Sequence, residues 1–372
     1  MERKMNSEMF VLRSIACLSI ALLHALYRVY SDGSTPWVES LGLLLTFGTP
    51  VFIFISQYVL SFAYPDEIPA RFWEKRIKYI LLPYFFFGTL YAGLKGFEMS
   101  SSESIPLLQG FWYYLWRHLL LGDFHGYFIL IIFQFYAIFL WFQRHVKRFN
   151  PRTVLLTSFL INIVYLGFFN FTKPADTVIA QYIWDKMYWI FSPGWIFYFT
   201  VAYYLGRNEP WFREKLKQFR IAVYTLPILT GALVLLVNEQ GWITAHSSKR
   251  IDVLLFTLSM IFLLYTVASS LKKIPRVLMW SSRYSFGIYL LHPLMLALFA
   301  KLPSSFGLLN LGPISVLLQF VGCVVGSAII MNLANRIPGG AYVFGRIGIG
   351  LQQSRPPKTI DPPITTRIGN VN

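Results

Sequence analysis

Ten apolar runs of about 20 residues divide the chain and decide what it can fold into. Each run is long enough to cross the ~30 Å hydrocarbon core of a bilayer as an α-helix. The runs are too long for barrel strands and lack their alternating pattern. We therefore predict an all-α polytopic protein of the plasma membrane with about ten transmembrane helices. The predicted spans are residues 8–29, 41–63, 79–97, 126–143, 153–171, 187–206, 221–238, 251–271, 281–300 and 312–333.

Composition and charge support this assignment. Charged residues make up 13% of the chain, against ~25% in an average soluble domain. The net charge of +16 comes from an asymmetric distribution of basic residues. If the N-terminus is cytoplasmic, 24 of the 33 Lys and Arg residues fall in cytoplasmic segments. This is the positive-inside pattern, so we expect both termini in the cytoplasm and no nucleic-acid partner.

The chain divides into two unequal parts. Residues 1–335 contain all ten apolar runs and are predicted to form one integral membrane domain. Residues 336–372 are rich in proline and polar residues, which favours a disordered cytoplasmic tail. Cys17 and Cys323 both fall inside apolar runs and offer neither a disulfide framework nor a metal site.

The first span carries an arginine and a histidine on one helix face. Arg13 and His24 are eleven residues apart, which is ~20° from a whole number of helical turns and ~16 Å along the axis. One interpretation is that Arg13 extends to the lipid headgroups while His24 lies in the opposite interface. The other is that both side chains line a cavity inside the helix bundle, because ionisable residues within spans often mark functional paths.

Two further signals accompany this pair. Ser285, Tyr289 and His292 recur at the spacing of one helix face, just before Pro293 removes a backbone donor. This pattern fits either a helix bordering a site or a kinked helix whose polar stripe bonds to its neighbours. His125 lies at the outer mouth of the fourth span. We therefore consider His125, Tyr289 and His292 as possible site-lining residues.

A basic cluster precedes the third span. Lys75, Arg76 and Lys78 lie directly beside the predicted cytoplasmic membrane surface. Such a cluster commonly orients the protein or binds anionic lipid. It also suits a phosphorylated ligand, since arginine pairs with phosphate through two parallel hydrogen bonds.

Taken in order, these motifs resemble the membrane-bound acyltransferase-3 family, which includes O-acetylases of O-antigen and peptidoglycan and the succinylating intercellular-adhesion proteins. The carrying segments are LRSIACLSIALLH, EKRIKYILLPY, HGYFILIIFQFY, WIFYFTVAYYLGRN and SRYSFGIYLLHPL. The resemblance extends over about residues 8–335. Two segments depart from the family pattern. The family's basic loop is often Arg-x-x-Arg, but three residues after Arg76 this chain has Tyr79, with Lys78 beside it. Gly126-Tyr127 replaces Leu-Trp after the histidine.

The resemblance implies a membrane-bound O-acyltransferase with no metal and no permanently bound cofactor. Acyl-coenzyme A would be the co-substrate, bound on the cytoplasmic side by Arg13, Arg76 and Lys78. His24 would act as general base on a hydroxyl of a surface glycan or glycolipid, or carry the acyl group briefly as a nucleophile.

The expected partners are membrane lipid, acyl-coenzyme A and a carbohydrate acceptor. Because we identify no esterase-like extracytoplasmic domain, we also expect either a separate acyl-accepting protein or direct transfer to the acceptor. The alternative function is an exporter of a polysaccharide or lipid-linked sugar, whose pathway the same polar residues would line. A scaffold or sensor would leave Arg13 and His24 without a role.

Overall fold

The computed structural model describes residues 7–30, 35–146, 148–306 and 312–348. Within these ranges every regular element is helical. The α-helices are α1 (Ser7–Val29), α2 (Pro36–Leu45), α3 (Gly48–Ala63), α4 (Phe72–Arg76), α5 (Leu82–Glu103), α6 (Leu107–Leu121), α7 (Tyr127–His145), α8 (Pro151–Phe171), α9 (Val178–Tyr182), α10 (Ile196–Arg207), α11 (Glu209–Gln218), α12 (Arg220–Glu239), α13 (Ile251–Ser270), α14 (Arg276–Phe306), α15 (Pro313–Ala334) and α16 (Gly340–Val343). Shorter turns are π-helical at Ile77–Leu81 and Ile183–Met187, and 3₁₀ at Ser192–Gly194.

Eight helical segments of the described chain are long and apolar enough to cross a membrane, and each overlaps one predicted span. They are Ser7–Val29, Pro36–Ala63, Phe72–Glu103, Tyr127–His145, Pro151–Phe171, Arg220–Glu239, Ile251–Ser270 and Pro313–Ala334. The all-α polytopic fold is therefore confirmed. Two of the ten predicted spans are not among the eight, and both lie in helices of different length from the prediction.

The sixth predicted span, residues 187–206, is shorter than the sequence indicated. The chain forms a 3₁₀ turn around Pro193, and α10 begins only at Ile196 and has 12 residues. A helix of that length is ~18 Å long, too short for a ~30 Å core. Gln134 of α7 satisfies the interrupted backbone, accepting from the Ser192 amide at 3.1 Å and donating to the Ile190 carbonyl at 2.8 Å. Such pairing allows non-helical backbone inside a membrane protein.

The ninth predicted span, residues 281–300, lies within α14. This helix has 31 residues and is ~46 Å long. It continues through Pro293, so the missing backbone donor at that residue does not end the helix.

The first and ninth predicted spans pack side by side in the same direction. Ser14 and Ser281 share a 2.5 Å hydroxyl contact, and the Cys17 thiol meets the Ser285 carbonyl at 3.8 Å. Farther along, the rings of His24 and His292 are 4.9 Å apart between centroids. The paired residues differ in number by 267 or 268 at all three levels. The helices α1 and α14 are therefore parallel and stay in register from the level of Arg13 to the level of His24.

The chain after α15 folds back onto the helices. Tyr342 stacks on Tyr79 with ring centroids 5.4 Å apart, and Phe344 contacts Phe86 and Phe87 at 5.6 Å. Residues 336–348 belong to the segment predicted to be a disordered tail, but these contacts hold them against the third span. Apolar side chains give this segment a surface to bury that its proline-rich continuation lacks. Residues 349–372 of the predicted tail lie outside the described residues.

The predicted sidedness leads to a labelling experiment. Glu103 at the end of α5 and Lys217 in α11 are both exposed, and the charge pattern places them on opposite sides of the membrane. In a background without Cys17 and Cys323, an impermeant thiol reagent applied to intact cells should label Glu103→Cys and spare Lys217→Cys. The opposite labelling pattern would overturn the predicted orientation of both termini.

Candidate active site

One large cavity runs through the helix bundle, with a volume of about 750 Å³. This size is within the range of small-molecule and cofactor sites. Six of the seven predicted site residues line it: Arg13, His24, Arg76, His125, Tyr289 and His292. Because Arg13 and His24 both line it and lie ~16 Å apart along α1, the cavity is elongated along the bundle. The structure thus places both residues on the inner face of α1.

Three histidines gather at one end of the cavity, which we call the histidine end. The His292 ring lies between the others, with centroids 4.9 Å from His24 and 5.5 Å from His125. They come from α1, from the turn before α7 and from α14. Among the described residues, no group of three or more His, Cys, Asp or Glu side chains is arranged to hold a metal ion.

Pro293 fixes the proton on the His292 ring. The carbonyl of Tyr289 would normally accept from the amide four residues later, but that residue is Pro293 and has no N–H. His292 Nδ1 fills this vacancy at 2.7 Å and also lies 3.1 Å from the Ile288 carbonyl. Because carbonyls only accept, Nδ1 carries the proton. The other nitrogen, Nε2, is buried without a partner and remains an acceptor inside the histidine cluster.

His125 is held by α14 through two reciprocal contacts. Its Nε2 donates to the Leu290 carbonyl at 3.1 Å, and the Tyr289 hydroxyl donates to the His125 carbonyl at 2.7 Å. The Tyr91 hydroxyl also donates to the Leu290 carbonyl, at 2.9 Å. This arrangement fixes the ring of His125 and leaves its Nδ1 as an acceptor. The polar stripe of α14 is therefore occupied mainly in positioning the neighbouring side chains.

His24 is the least constrained of the three histidines. Its side chain is exposed to the cavity. Within the described chain, its ring nitrogens have no hydrogen-bond partner, in contrast to those of His125 and His292. A histidine with an accessible nitrogen beside fixed neighbours can take a proton from a bound molecule.

Arginines gather at the other end of the cavity, which we call the basic end. Arg76 donates through Nη1 to the Phe72 carbonyl at 2.8 Å, and its guanidinium lies over the rings of Phe72 and Tyr136 at 3.5 and 4.8 Å. Its Nε is buried without a hydrogen-bond partner. The π-helical turn that follows, Ile77–Leu81, precedes Pro83, which cannot donate a backbone hydrogen bond.

Lys78 does not join the other predicted donor-binding residues. It lies outside the cavity lining, and its Nζ pairs with Glu74 at 2.8 Å on the exposed surface. Two residues along a helix correspond to a rotation of ~200°. With Arg76 facing the cavity, Lys78 must therefore face away from it.

Charge is unevenly distributed along the cavity lining. Among the described residues, six Lys and Arg side chains line it against one acidic side chain, Asp123. The basic side chains are Arg13, Arg76, Lys186, Lys249, Arg283 and Arg346. Asp123 is already paired, with Arg117 at 2.5 Å and Lys186 at 3.6 Å. The cavity is therefore suited to an anionic ligand.

Comparison with known proteins identifies the family. A family model described as an acyltransferase domain, acyltransferase-3, matches residues 6–332. The chain belongs to the acyltransferase-3 family. It is thus a multi-pass plasma-membrane protein of an acyltransferase family, as its motifs and apolar helices predicted. No solved structure matches the chain at a significant level.

Two kinds of relative accompany the family match. The chain is 38% identical over 351 residues to a Bacillus subtilis (strain 168) protein provisionally named membrane-bound acyltransferase YfiQ, covering 91% of this chain and 94% of the relative. It is 31% identical over 309 residues to a Staphylococcus aureus (strain Mu50) protein provisionally named poly-beta-1,6-N-acetyl-D-glucosamine export protein, covering 80% and 85%. A Staphylococcus epidermidis protein of the same name is 30% identical over 310 residues, covering 80% and 83%.

Four cavity-lining cations of this acyltransferase-3 protein were missed at the sequence level: Lys186, Lys249, Arg283 and Arg346. In the sequence they contribute only to the general basic charge. Lys186 lies in the π-helical turn Ile183–Met187, Lys249 in a loop and Arg346 in the C-terminal segment. The positions of these three depend on how their segments fold back, which local spacing does not reveal. The proximity of Arg283 to the polar stripe of α14 was the one available signal.

Lys249 lies at the histidine end, in the loop between α12 and α13 and outside the membrane-spanning segments. Its Nζ is 4.0 Å from the Trp189 ring and donates to the Tyr127 hydroxyl at 3.2 Å. Asn170 holds the backbone around it, donating to the Lys249 carbonyl at 3.1 Å. Burial, together with the charge of Lys186, lowers the pKa of Lys249 to about 7.

This lowered pKa predicts an unusual reactivity. The amine of Lys249 should become neutral, and hence nucleophilic, as pH rises through about 7. An unperturbed lysine does so only near pH ~10.4. Trace labelling with acetic anhydride, followed by peptide mass spectrometry, should give half-maximal reactivity of Lys249 near neutral pH. A midpoint above pH 9 would contradict the lowered pKa of Lys249 and show that its surroundings stabilise the ammonium form.

Proposed function

We propose that this protein transfers an acetyl or succinyl group from cytoplasmic acyl-coenzyme A to a hydroxyl of a cell-surface glycan or glycolipid. The observation that carries the proposal is the large cavity with arginines at one end and an accessible histidine at the other. Guanidinium groups suit the phosphates of the donor, and a neutral imidazole suits the acceptor hydroxyl. The family match supports acyl transfer as the reaction class.

In the proposed reaction His24 is the general base. The acceptor oxygen attacks the thioester carbonyl carbon while His24 removes the hydroxyl proton. The carbon–sulfur bond then breaks, and coenzyme A leaves as the thiol after receiving that proton. The products are the O-acyl ester and free coenzyme A, so neither an oxidant nor a further reactant is needed.

His292 is proposed as the partner that stabilises the protonated form of His24. Its Nδ1 proton is committed to the α14 backbone, so its Nε2 can only accept. An acceptor beside His24 favours the imidazolium that forms when the hydroxyl is deprotonated. In this proposal His125, fixed against Leu290, keeps the His292 ring in place from its other side.

The proposed acceptor is a carbohydrate. The staphylococcal relatives carry the name of a poly-N-acetylglucosamine export protein, which supports a role with surface polysaccharide. At the histidine end, Tyr127 and Trp189 line the cavity, and aromatic rings of this kind can stack on sugar faces. Delivery through a separate extracytoplasmic acyl-accepting protein is the alternative route to the same glycan.

An isotope experiment tests the proposal. The purified protein in lipid nanodiscs is mixed with acetyl- or succinyl-coenzyme A carrying a labelled acyl group and with surface glycan from the host cell. We expect base-labile label on the glycan and stoichiometric release of coenzyme A, detected as free thiol. Release of thiol without labelled glycan would indicate a missing acyl-accepting protein. If no thiol is released with either donor, a coenzyme A thioester is not the donor.

Export is the second candidate function, and the names of the staphylococcal relatives favour it. The two functions differ in their need for a donor. In proteoliposomes, an exporter would move the glycan across the membrane without acyl-coenzyme A. An acyltransferase would modify glycan supplied directly at the histidine end. Donor-independent transport that persists in a His24→Ala variant would support export.

A further inference from the structure

The segment that follows the last span contributes to the basic end of the cavity. We call residues 336–348 the C-terminal strap. Three contacts hold it in place: Asn335 Nδ2 donates to the Gly345 carbonyl at 3.1 Å, the Gly348 amide donates to the Arg283 carbonyl at 3.1 Å, and Phe344 packs against Phe86 and Phe87. The strap thus joins α14, α15 and the third span.

Gly345 allows this close approach. Its φ is +82°, a conformation that residues with a side chain rarely adopt. A Cβ at this position would come within 2.4 Å of the Phe286 ring. The strap therefore fits against α14 because residue 345 is glycine, and a larger residue there would lift it away from the cavity.

The strap contributes Arg346 to the cavity lining. Its guanidinium is 5.9 Å from the centre of the Tyr79 ring, in the π-helical turn just after Arg76. The neighbouring Gly348 is bonded to the backbone of Arg283, which lies two residues after Ser281 at the level of Ser14 and Arg13. Arg346 is therefore at the basic end, with Arg13, Arg76 and Arg283.

We propose that the strap completes the donor site, and that Arg346 binds a phosphate group of the nucleotide-bearing acyl donor. This inference rests on the proposed function for the identity of the donor. The family match ends at residue 332, so this contribution comes from a part of the chain that the family model does not include.

The charge distribution supports a phosphate ligand. Among the described residues that line the cavity, the one carboxylate is Asp123, which lies at the histidine end and pairs with Arg117 and Lys186. The basic end therefore collects four guanidinium groups without a carboxylate in its lining. Guanidinium groups form bidentate hydrogen bonds to phosphate, and the Nε of Arg76 is buried without a partner.

Direct binding measurements test the role of Arg346. Coenzyme A and pantetheine, which shares the thiol arm but has no phosphate, are titrated into the purified full chain in nanodiscs of neutral lipid. Arg346→Ala should weaken coenzyme A binding by about 10-fold and leave pantetheine binding unchanged. Arg346→Lys should restore part of the loss. Gly345→Val, which keeps Arg346 but displaces the strap, should reproduce the loss.

The matched control is Arg336→Ala, an exposed arginine of the same strap that does not line the cavity. It should bind coenzyme A as the unchanged protein does. If Arg346→Ala also binds coenzyme A normally, the strap proposal is wrong while the proposed function stands. If the unchanged protein binds no coenzyme A, the proposed donor and the strap proposal both fail.

The phosphate bound by Arg346 could come from a lipid headgroup instead of the acyl donor. The titration is therefore repeated in nanodiscs containing phosphatidylglycerol. If Arg346→Ala changes only the effect of phosphatidylglycerol and not the affinity for coenzyme A, Arg346 binds a lipid headgroup. That outcome would overturn its assignment to the donor site.

Discussion

Replacing His24 by alanine should lower the rate of acyl transfer by about 10²–10⁴-fold, the usual contribution of a general base. The side chain is exposed to the cavity and has no hydrogen-bond partner within the described chain. Its removal therefore breaks no hydrogen bond and costs mainly the contact with the His292 ring, so the protein should still insert and fold. The measurement is the single-turnover rate of acyl transfer with both substrates saturating.

His145 is the matched control for His24. It lies at the exposed end of α7, where its Nδ1 contacts the Trp141 carbonyl at 3.0 Å, and it does not line the cavity. His145→Ala should retain the normal rate. A His24→Ala protein that acylates as fast as His145→Ala would remove the general-base role and leave the histidine a structural one.

The pH dependence separates a base from a group that only binds the acceptor. A histidine accepts a proton only when neutral, so the rate should fall as pH decreases through its own titration. This acidic limb should disappear in His24→Ala, leaving a low and flat profile. A limb that persists with the same midpoint would assign the proton transfer to another group, with His292 the nearest candidate.

Helical periodicity accounts for what the sequence revealed of the site. The spacing of Arg13 and His24 fixes one face of α1, and Tyr289 and His292 share one face of α14. A continuous helix preserves these relations, so both pairs line the same cavity. Their convergence followed from the parallel packing of α1 and α14, which the sequence did not show.

The remaining differences between the sequence-based predictions and the structure come from contacts between segments distant in sequence. The shortening of the sixth predicted span depends on Gln134, which pairs with the backbone around Ser192 from another helix. The cavity position of Lys249 depends on Asn170, which holds its loop. Arg346 reaches the basic end because Gly345 fits against Phe286. Composition and periodicity report on a residue and its near neighbours, and therefore missed all three.

Lys78 is a prediction that local spacing alone could have corrected. Arg76 and Lys78 of the basic cluster were both predicted to bind the donor. Residues two apart on a helix cannot both face one cavity, and Lys78 pairs with Glu74 on the exposed side. The same helical periodicity that correctly joined Arg13 to His24 would have separated Arg76 from Lys78.

Because Arg76 lines the cavity and Lys78 does not, we expect a large effect on donor binding from replacing Arg76. Arg76→Ala should raise the KM for acyl-coenzyme A by about 10–100-fold, the range expected when a charged hydrogen-bond donor to a bound anion is lost. Arg76 is held in place by Phe72 and Tyr136, so its loss removes a preorganised donor. The rate at saturating donor should change little, because in the proposed reaction the acyl transfer takes place at the histidine end and Arg76 lies at the basic end.

Two other cations, Lys78 and Lys173, serve as controls for Arg76. Lys78→Ala removes a charge from the same basic cluster but outside the cavity, and Lys173→Ala removes an exposed charge in the segment between α8 and α9. Both variants should keep the normal KM, because screening by salt weakens the attraction of exposed charges for a ligand. If Lys78→Ala raises the KM as much as Arg76→Ala does, the cluster attracts the donor by its general charge. An unchanged KM in Arg76→Ala would instead show that the donor does not occupy the basic end.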